Sequence, residues 1–132
     1  MLVRDGEVLL ARRVNTGYWD GSYSLPAGHV EVGENFTTAL VREVGEEIGI
    51  RLYSQSLSVP HILHRKGEDG SERVEAFYRV NSWEGDIKNH EPEKCDDLSW
   101  FPLGRLPENT IPYIKQTLEN IQKGISYSEL GW

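Results

Sequence analysis

One cysteine, Cys95, stands in 132 residues, so no disulfide can close within a single copy of the chain. That suits a reducing compartment, and a cytoplasmic location is the expectation. Long apolar runs are missing as well. Stretches such as "VLLA" at 8–11 are too short for a signal-peptide core or a membrane span, so no membrane association is expected. Positive charge is scarce: 14 Lys and Arg face 21 Asp and Glu, for a net charge of -7. Broad binding to nucleic acid or anionic lipid is thereby disfavoured, and no polymeric nucleic acid is expected as a partner. A small phosphate-bearing ligand is not excluded, provided that metal ions screen the acidic groups. No internal repeat, low-complexity tract or linker interrupts the chain, which is read as one domain, 1–132.

What is present suffices for a packed core: 38% apolar residues, four tryptophans and six tyrosines. "MLVRDGEVLLAR" reads as a hairpin, with two β-prone runs around the tight-turn pair Asp5-Gly6. A loop rich in Gly, Asn, Asp and aromatics follows, ending in an extended piece at 23–25. Residues 36–48 are the best helix candidate, capped by Asn35 and ended by Gly49. Next come a strand interrupted near Pro60, a turn at "GEDGSE", and a strand in which Val74, Ala76, Tyr78 and Val80 alternate. After a polar loop and a short strand around "LSWF", Pro112 opens a second amphipathic helix. Ile114, Leu118 and Ile121 share one of its faces, Gly124 can end it, and "YSELGW" is a tail. This order suggests a mixed sheet sandwiched between helices.

The first helix is a poor choice on stability grounds. "REVGEEIG", residues 42–49, sets Glu43, Glu46 and Glu47 within a turn of one another and puts Gly45 mid-helix. The like charges and the glycine together give up roughly 1–2 kcal/mol. At 100° per residue Leu40, Val41, Val44 and Ile48 form one stripe, and the three glutamates project from another. With Glu34 from the lead-in, four carboxylates can converge. Such a cluster repels itself when empty and is relieved by hard divalent cations, which prefer oxygen ligands and can bridge phosphate oxygens and polarise a water. On the three glutamates alone a solvated helix face is the better reading. The extended pattern reverses that judgement.

Residues 28–50, "GHVEVGENFTTALVREVGEEIGI", resemble the Nudix box of the Nudix hydrolase (MutT-like) superfamily. Gly28, Glu34, Arg42, Glu43, Val44, Glu46, Glu47, Gly49 and Ile50 fill every position of that signature. Seven fixed residues at background usage coincide by chance less than about once in a hundred million starts. A looser likeness spans "DGEVLLARR", "LPAGHVE" and "WFPLGRLP".

The resemblance implies an α/β/α sandwich around a central mixed β-sheet. It also implies cleavage within the pyrophosphate of a nucleoside diphosphate linked to another group, using Mg²⁺ or Mn²⁺. Carried over by position, Glu43, Glu46 and Glu47 are metal ligands, with Glu43 the alternative activator of the attacking water. The Ala27 carbonyl is a backbone ligand. Glu34 and Arg42 brace the loop against the helix, with Gly28 and Gly49 in support. Glu91, Glu93, Asp96 and Asp97 are candidates for a further acidic ligand, with a slight preference for Glu93. Arg12 and Arg13 are candidates to meet phosphate. Trp19 and Tyr23 are candidates to stack on a base, as are Phe77 and Trp100, but for each of the four burial in the core is favoured over ligand contact. His61 and His64, three apart on a strand, point to opposite faces and do not share a metal. For Gly45, a free position of the box, close approach of another backbone segment is the expectation.

The box specifies chemistry and not the leaving group. "NHEPEKCDDLSWF" is similar to a segment of small Nudix enzymes that hydrolyse nucleoside triphosphates, including modified purine ones. The expected reaction is therefore triphosphate to monophosphate plus pyrophosphate. An ADP-ribose or nucleotide-sugar pyrophosphatase is the alternative, and a non-catalytic nucleotide-binding module is the rival of another class. Many relatives are dimers, so a homodimer enters as an expectation.

Overall fold

A computed structural model describes residues 1–132. Strand β1 (Val3–Arg4) turns through Asp5 and Gly6, both at positive φ (52° and 77°), into β2 (Glu7–Arg13). Two consecutive left-handed residues give a turn whose twist matches the strands it joins, which is why an Asp-Gly pair serves here. β2 is the centre of a four-stranded antiparallel sheet. On one side it pairs with β1 and with β3 (Tyr23–Ser24), and on the other with β6 (Cys95–Pro102).

The second sheet holds β4 (Leu57–Lys66) between β5 (Glu72–Val80) and β7 (Tyr127–Leu130). β4–β5 is antiparallel and β4–β7 parallel, which makes the architecture mixed. The β4–β5 register slips between Ser58 and His61, at Pro60, where a missing N–H interrupts the ladder. The single central sheet expected from the sequence is thus two sheets, linked where Leu2 bridges Val80. "YSELGW" is also more than a tail. The buried His61 ring hydrogen-bonds the Ile125 carbonyl (2.7 Å) and Ser128 Oγ (2.8 Å), fastening this segment beside β4. Nothing in the short polar run itself signalled a strand.

Helices α1 (Phe36–Ile48) and α2 (Pro112–Gln122) cover opposite faces. The alternation of β2 sorts the core accordingly. Val8 and Leu10 pack with Leu63, Phe77, Ile114, Leu118 and Ile121 on the α2 side. Leu9 packs with Val44, Ile48, Ile50, Leu52 and Val80 on the α1 side. This is the α/β/α sandwich.

Candidate active site

Helix α1 begins and ends where its sequence dictates. The Asn35 side chain accepts from the Thr38 amide (2.9 Å), and Gly49 closes the helix in the left-handed region at φ 73°. The 84–91 segment then folds over the helix end. Lys88 N–H donates to the Ile48 carbonyl and His90 N–H to that of Glu47, supplying partners to last-turn carbonyls that lack them within the helix. The His90 ring lies where a Gly49 side chain would be. This wrapping carries Glu91 toward the carboxylates of α1.

Arg42 organises the approach to the helix. Its Nε and Nη2 donate to the two oxygens of Glu34 at 2.7 and 3.0 Å, a fork-to-fork pair, and Nη2 also donates to the His29 carbonyl. Glu34 additionally accepts from the Glu31 amide. Arg42 and this amide hold the Glu34 carboxyl down at about 2, and Glu34 in turn raises Arg42. Nη1 of Arg42 reaches Glu43 at 2.8 Å and Glu46 at 3.4 Å. So the arginine touches both the bracing glutamate and two of the helix glutamates. Gly28 has its own reason: the Glu43 carboxylate occupies the space that any side chain at position 28 would fill. Arg42, Glu34 and Gly28 therefore fix where the 28–34 loop sits against α1.

Glu47 is different. It makes no ion pair, and it is held up at about 8 from an ordinary 4.5. Burial is the main cause, followed by the charges of Glu43 and Glu91. The Ala27 backbone N–H and Arg13 offset this only in part. This is a half-buried carboxylate facing two others without a compensating cation of its own. Ala27, Arg13, Glu43 and Glu91 are thus all within electrostatic reach of Glu47. No three acidic, histidine or cysteine side chains are drawn together into a ready-made cage. Glu43 and Glu46 lean instead on Arg42.

The other residues named from the sequence fall into two groups. Arg13, Trp19 and Glu91 lie open or toward the site. Arg13 Nε donates to the Tyr18 carbonyl (2.6 Å), and Trp19 is 45% exposed on a loop pinned by Asp20 to Thr16 and Gly17. Trp19 itself is left-handed at φ 51°, an uncommon state for a bulky residue. Arg12, Tyr23, Asp96 and Asp97 are engaged with one another. Arg12 pairs with Asp96 (2.7 Å) across the irregularity between β2 and β6. The Tyr23 hydroxyl donates to Asp97, and its ring is buried edge-on to Phe101. Tyr23 therefore takes the core position favoured for it over stacking on a base. Glu93 is exposed and contributes its backbone carbonyl to Asn15. Of the four late acids it is Glu91 whose charge bears on Glu47. Sequence spacing could not choose among them, because the choice depends on how 84–91 wraps the helix end.

Phe77 is in the core, and Trp100 stacks on Trp83 beneath Arg4. The Cys95 thiol is raised by burial and donates to the Asp97 carbonyl, the bonding of a structural thiol. Gly45 corrects the expectation made for it. The nearest atom to a side chain placed there is the Ile50 carbonyl oxygen at 3.8 Å, an ordinary contact, so no backbone crowds it.

The NUDIX domain family model matches residues 1–121. The chain is 29% identical over 136 residues to an RNA pyrophosphohydrolase of Ruthia magnifica subsp. Calyptogena magnifica, covering 91% of this chain and 74% of that protein. It is 35% identical over 119 residues to the NAD-capped RNA hydrolase NudC of Chromobacterium violaceum, covering 85% of this chain but 40% of that longer relative. The crystal structure of a MutT NUDIX hydrolase from Burkholderia pseudomallei matches with a TM-score of 0.81 at 29% identity, covering 89% of this chain and 90% of that one. Two of these names concern RNA. No helix is long and apolar enough to cross a membrane. With its complete glutamate box, its α/β/α fold and a family match over most of its length, the chain belongs to the Nudix hydrolases, a family of pyrophosphohydrolases.

Proposed function

We propose that the whole chain, 1–132, works as one domain that hydrolyses a nucleoside triphosphate to monophosphate and pyrophosphate with Mg²⁺, Mn²⁺ serving as a substitute. The observation that carries the reading is Glu47, a half-buried carboxylate facing Glu43 and Glu91 and pushed up to about 8. Removing such repulsion is what a divalent cation does, and the donor set is all oxygen, as Mg²⁺ requires. Glu43, Glu46 and Glu47 would hold the ion, with Glu91 as the late-loop acid and the Ala27 carbonyl as a backbone donor. When bound, the ion neutralises phosphate charge and lowers the pKa of a water.

The chain's own groups supply the rest. Arg42 keeps Glu43 and Glu46 on one side of the helix while clamping Glu34, so the box loop and the glutamates stay in register. Glu43, for whose carboxylate Gly28 leaves room, would in the alternative to its ligand role take a proton from the attacking water. Arg13 at the end of β2 meets the phosphate, and Trp19 offers an exposed face for the base. Arg12 is already committed to Asp96 and contributes less.

The names of the relatives favour a second reading, hydrolysis at the 5′ end of RNA. One screen separates the two. Nucleoside triphosphates, ADP-ribose, a nucleotide sugar, NAD and a 5′-triphosphorylated oligoribonucleotide are compared with Mg²⁺ and with Mn²⁺. Release of monophosphate and pyrophosphate from free triphosphates at the highest kcat/KM is the expected result. A higher kcat/KM on the oligonucleotide selects the second reading, and no turnover anywhere refutes both.

A further inference from the structure

Residues 86–90 cross the end of α1 outside any strand or helix, so no ladder or helical repeat fixes their path. Two backbone bonds moor them there, from Lys88 N–H to the Ile48 carbonyl at 3.0 Å and from His90 N–H to the Glu47 carbonyl at 2.9 Å. Glu91 is the next residue and is half-buried. A loop that had to be ordered only when a ligand arrived would weaken binding by the conformational entropy it lost. Something must hold Glu91 beyond the last mooring.

Asn89 does so with both ends of its side chain. Its Oδ1 accepts from the Glu91 amide at 3.0 Å, and its Nδ2 donates to the Cys95 carbonyl at 2.6 Å. The Glu91 carbonyl in turn accepts from the amides of Lys94 and Cys95, at 2.9 and 3.0 Å. Both backbone groups of Glu91 are therefore bonded inside one closed loop, 89–95. An asparagine suits the closing position because it carries an acceptor and a donor on one short stem. Alanine offers neither, and an ionised aspartate lacks the donor. The far side of the loop is tied to the end of β2. Val14 N–H donates to the Lys94 carbonyl at 3.0 Å, and Asn15 Nδ2 donates to the Glu93 carbonyl at 3.2 Å. The loop thus hangs from α1, β2 and β6, and Asn89 closes it.

We propose that Asn89 is a positioning residue for the metal site: by holding the Glu91 amide and the Cys95 carbonyl it keeps the Glu91 carboxylate set beside α1 before any ion arrives. Asn89 touches neither the ion nor the substrate and acts through Glu91. Its loss frees the loop but leaves Glu43, Glu46 and Glu47 in place, because the helix and Arg42 hold those. The inference rests on the reading above of α1 as a divalent-metal site with Glu91 as its late-loop acid.

Calorimetric titration of the nucleotide-free protein with Mg²⁺ tests it, with kcat measured alongside and urea melts in EDTA as the folding check. Asn89→Ala should weaken Mg²⁺ binding about tenfold, and Glu91→Gln should do the same. The double variant should bind no more than about twofold more weakly than Glu91→Gln alone, because an effect routed through Glu91 disappears with its carboxylate. Asn89→Asp keeps the side-chain shape and carries the test where Asn89→Ala folds poorly. It retains the acceptor for the Glu91 amide and loses the donor to Cys95, so it too should weaken Mg²⁺, and only while Glu91 is present. An unchanged Mg²⁺ affinity in a folded Asn89 variant, or an equal loss in the Glu91→Gln background, overturns the positioning role. A loss in Glu47→Gln with none in Glu91→Gln removes Glu91 and Asn89 from the site and leaves the metal reading standing. Absence of Mg²⁺ binding by the wild type removes the metal reading, and this inference with it.

Discussion

The two helices pack on opposite faces of the same strand β2, yet they are built on different terms. α2 starts with Pro112 in its first turn and buries Ile114, Thr117, Leu118 and Ile121, leaving Lys115, Gln116, Glu119 and Gln122 outward. Every one of those choices serves folding. α1 buries a comparable stripe, Ala39, Val44 and Ile48, but gives its outer face to three glutamates and one arginine and admits a glycine. Where packing alone sets the sequence, the helix is conventional. Where the helix works against itself, the residues responsible are Glu43, Glu46, Glu47 and Gly45. The contrast supports placing the proposed chemistry on α1.

The contrast is open to test. The largest expected effect separates activity from stability. Glu46→Gln and Glu47→Gln should each lower kcat by orders of magnitude and leave the fold intact, with Tm in EDTA unchanged or raised. On α2, Leu118→Ala should do the reverse. It should cost about 2–5 kcal/mol of unfolding free energy and leave the kcat of the folded fraction near wild type. Chemical denaturation together with initial rates checks both. A destabilised Glu47→Gln would break the comparison.

A smaller effect is the pH dependence of the metal-free protein. Glu47 sits at about 8 when folded against an ordinary 4.5. Between those values the folded chain holds a proton that the unfolded chain has lost. Stability therefore falls as pH rises from about 4.5 to about 8, by at most about 1.4 kcal/mol per unit from this group. Glu34, held at about 2 by Arg42, works the other way: stability is lost as pH falls from about 4.5 toward 2. Urea melts in EDTA across pH 3–9 should show Glu47→Gln flattening the alkaline limb and Glu34→Gln the acid one. Identical profiles for wild type and Glu47→Gln would contradict the placement of that carboxylate.

Much of this was legible in the sequence, for physical reasons. The Asp-Gly turn, the Asn35 and Gly49 caps and the period of each helix are local signals, and local signals specify local structure. The box was legible because its spacing follows one helix and the loop leading into it. What the sequence left open depends on contacts distant in the chain. β7 is a strand because His61 and β4 receive it. Glu91, in place of Glu93, nears Glu47 because 84–91 caps the end of α1. Tyr23 is buried because Asp97, far along the chain, takes its hydroxyl. Asn89 gave no sign at all, since an asparagine in a polar run reads as solvated loop until Glu91 and Cys95 are brought to the two ends of its side chain.

The smallest effect concerns Gly45. With ordinary space above it, Gly45→Ala should raise stability by about 0.5–1 kcal/mol and leave kcat unchanged, bringing α1 one step closer to α2 in design. Loss of activity would show that the glycine belongs to the chemistry after all.

The central claim is that the carboxylates of α1 form a divalent-metal site for pyrophosphate cleavage. Its most direct test is the Mg²⁺-dependent release of pyrophosphate from GTP by wild type and by Glu47→Gln, with the thermal shift caused by Mg²⁺ recorded on the same samples. The account predicts turnover and a raised Tm in the wild type, with both lost or strongly reduced in the folded variant. Equal turnover and equal metal shifts in the two proteins would contradict it.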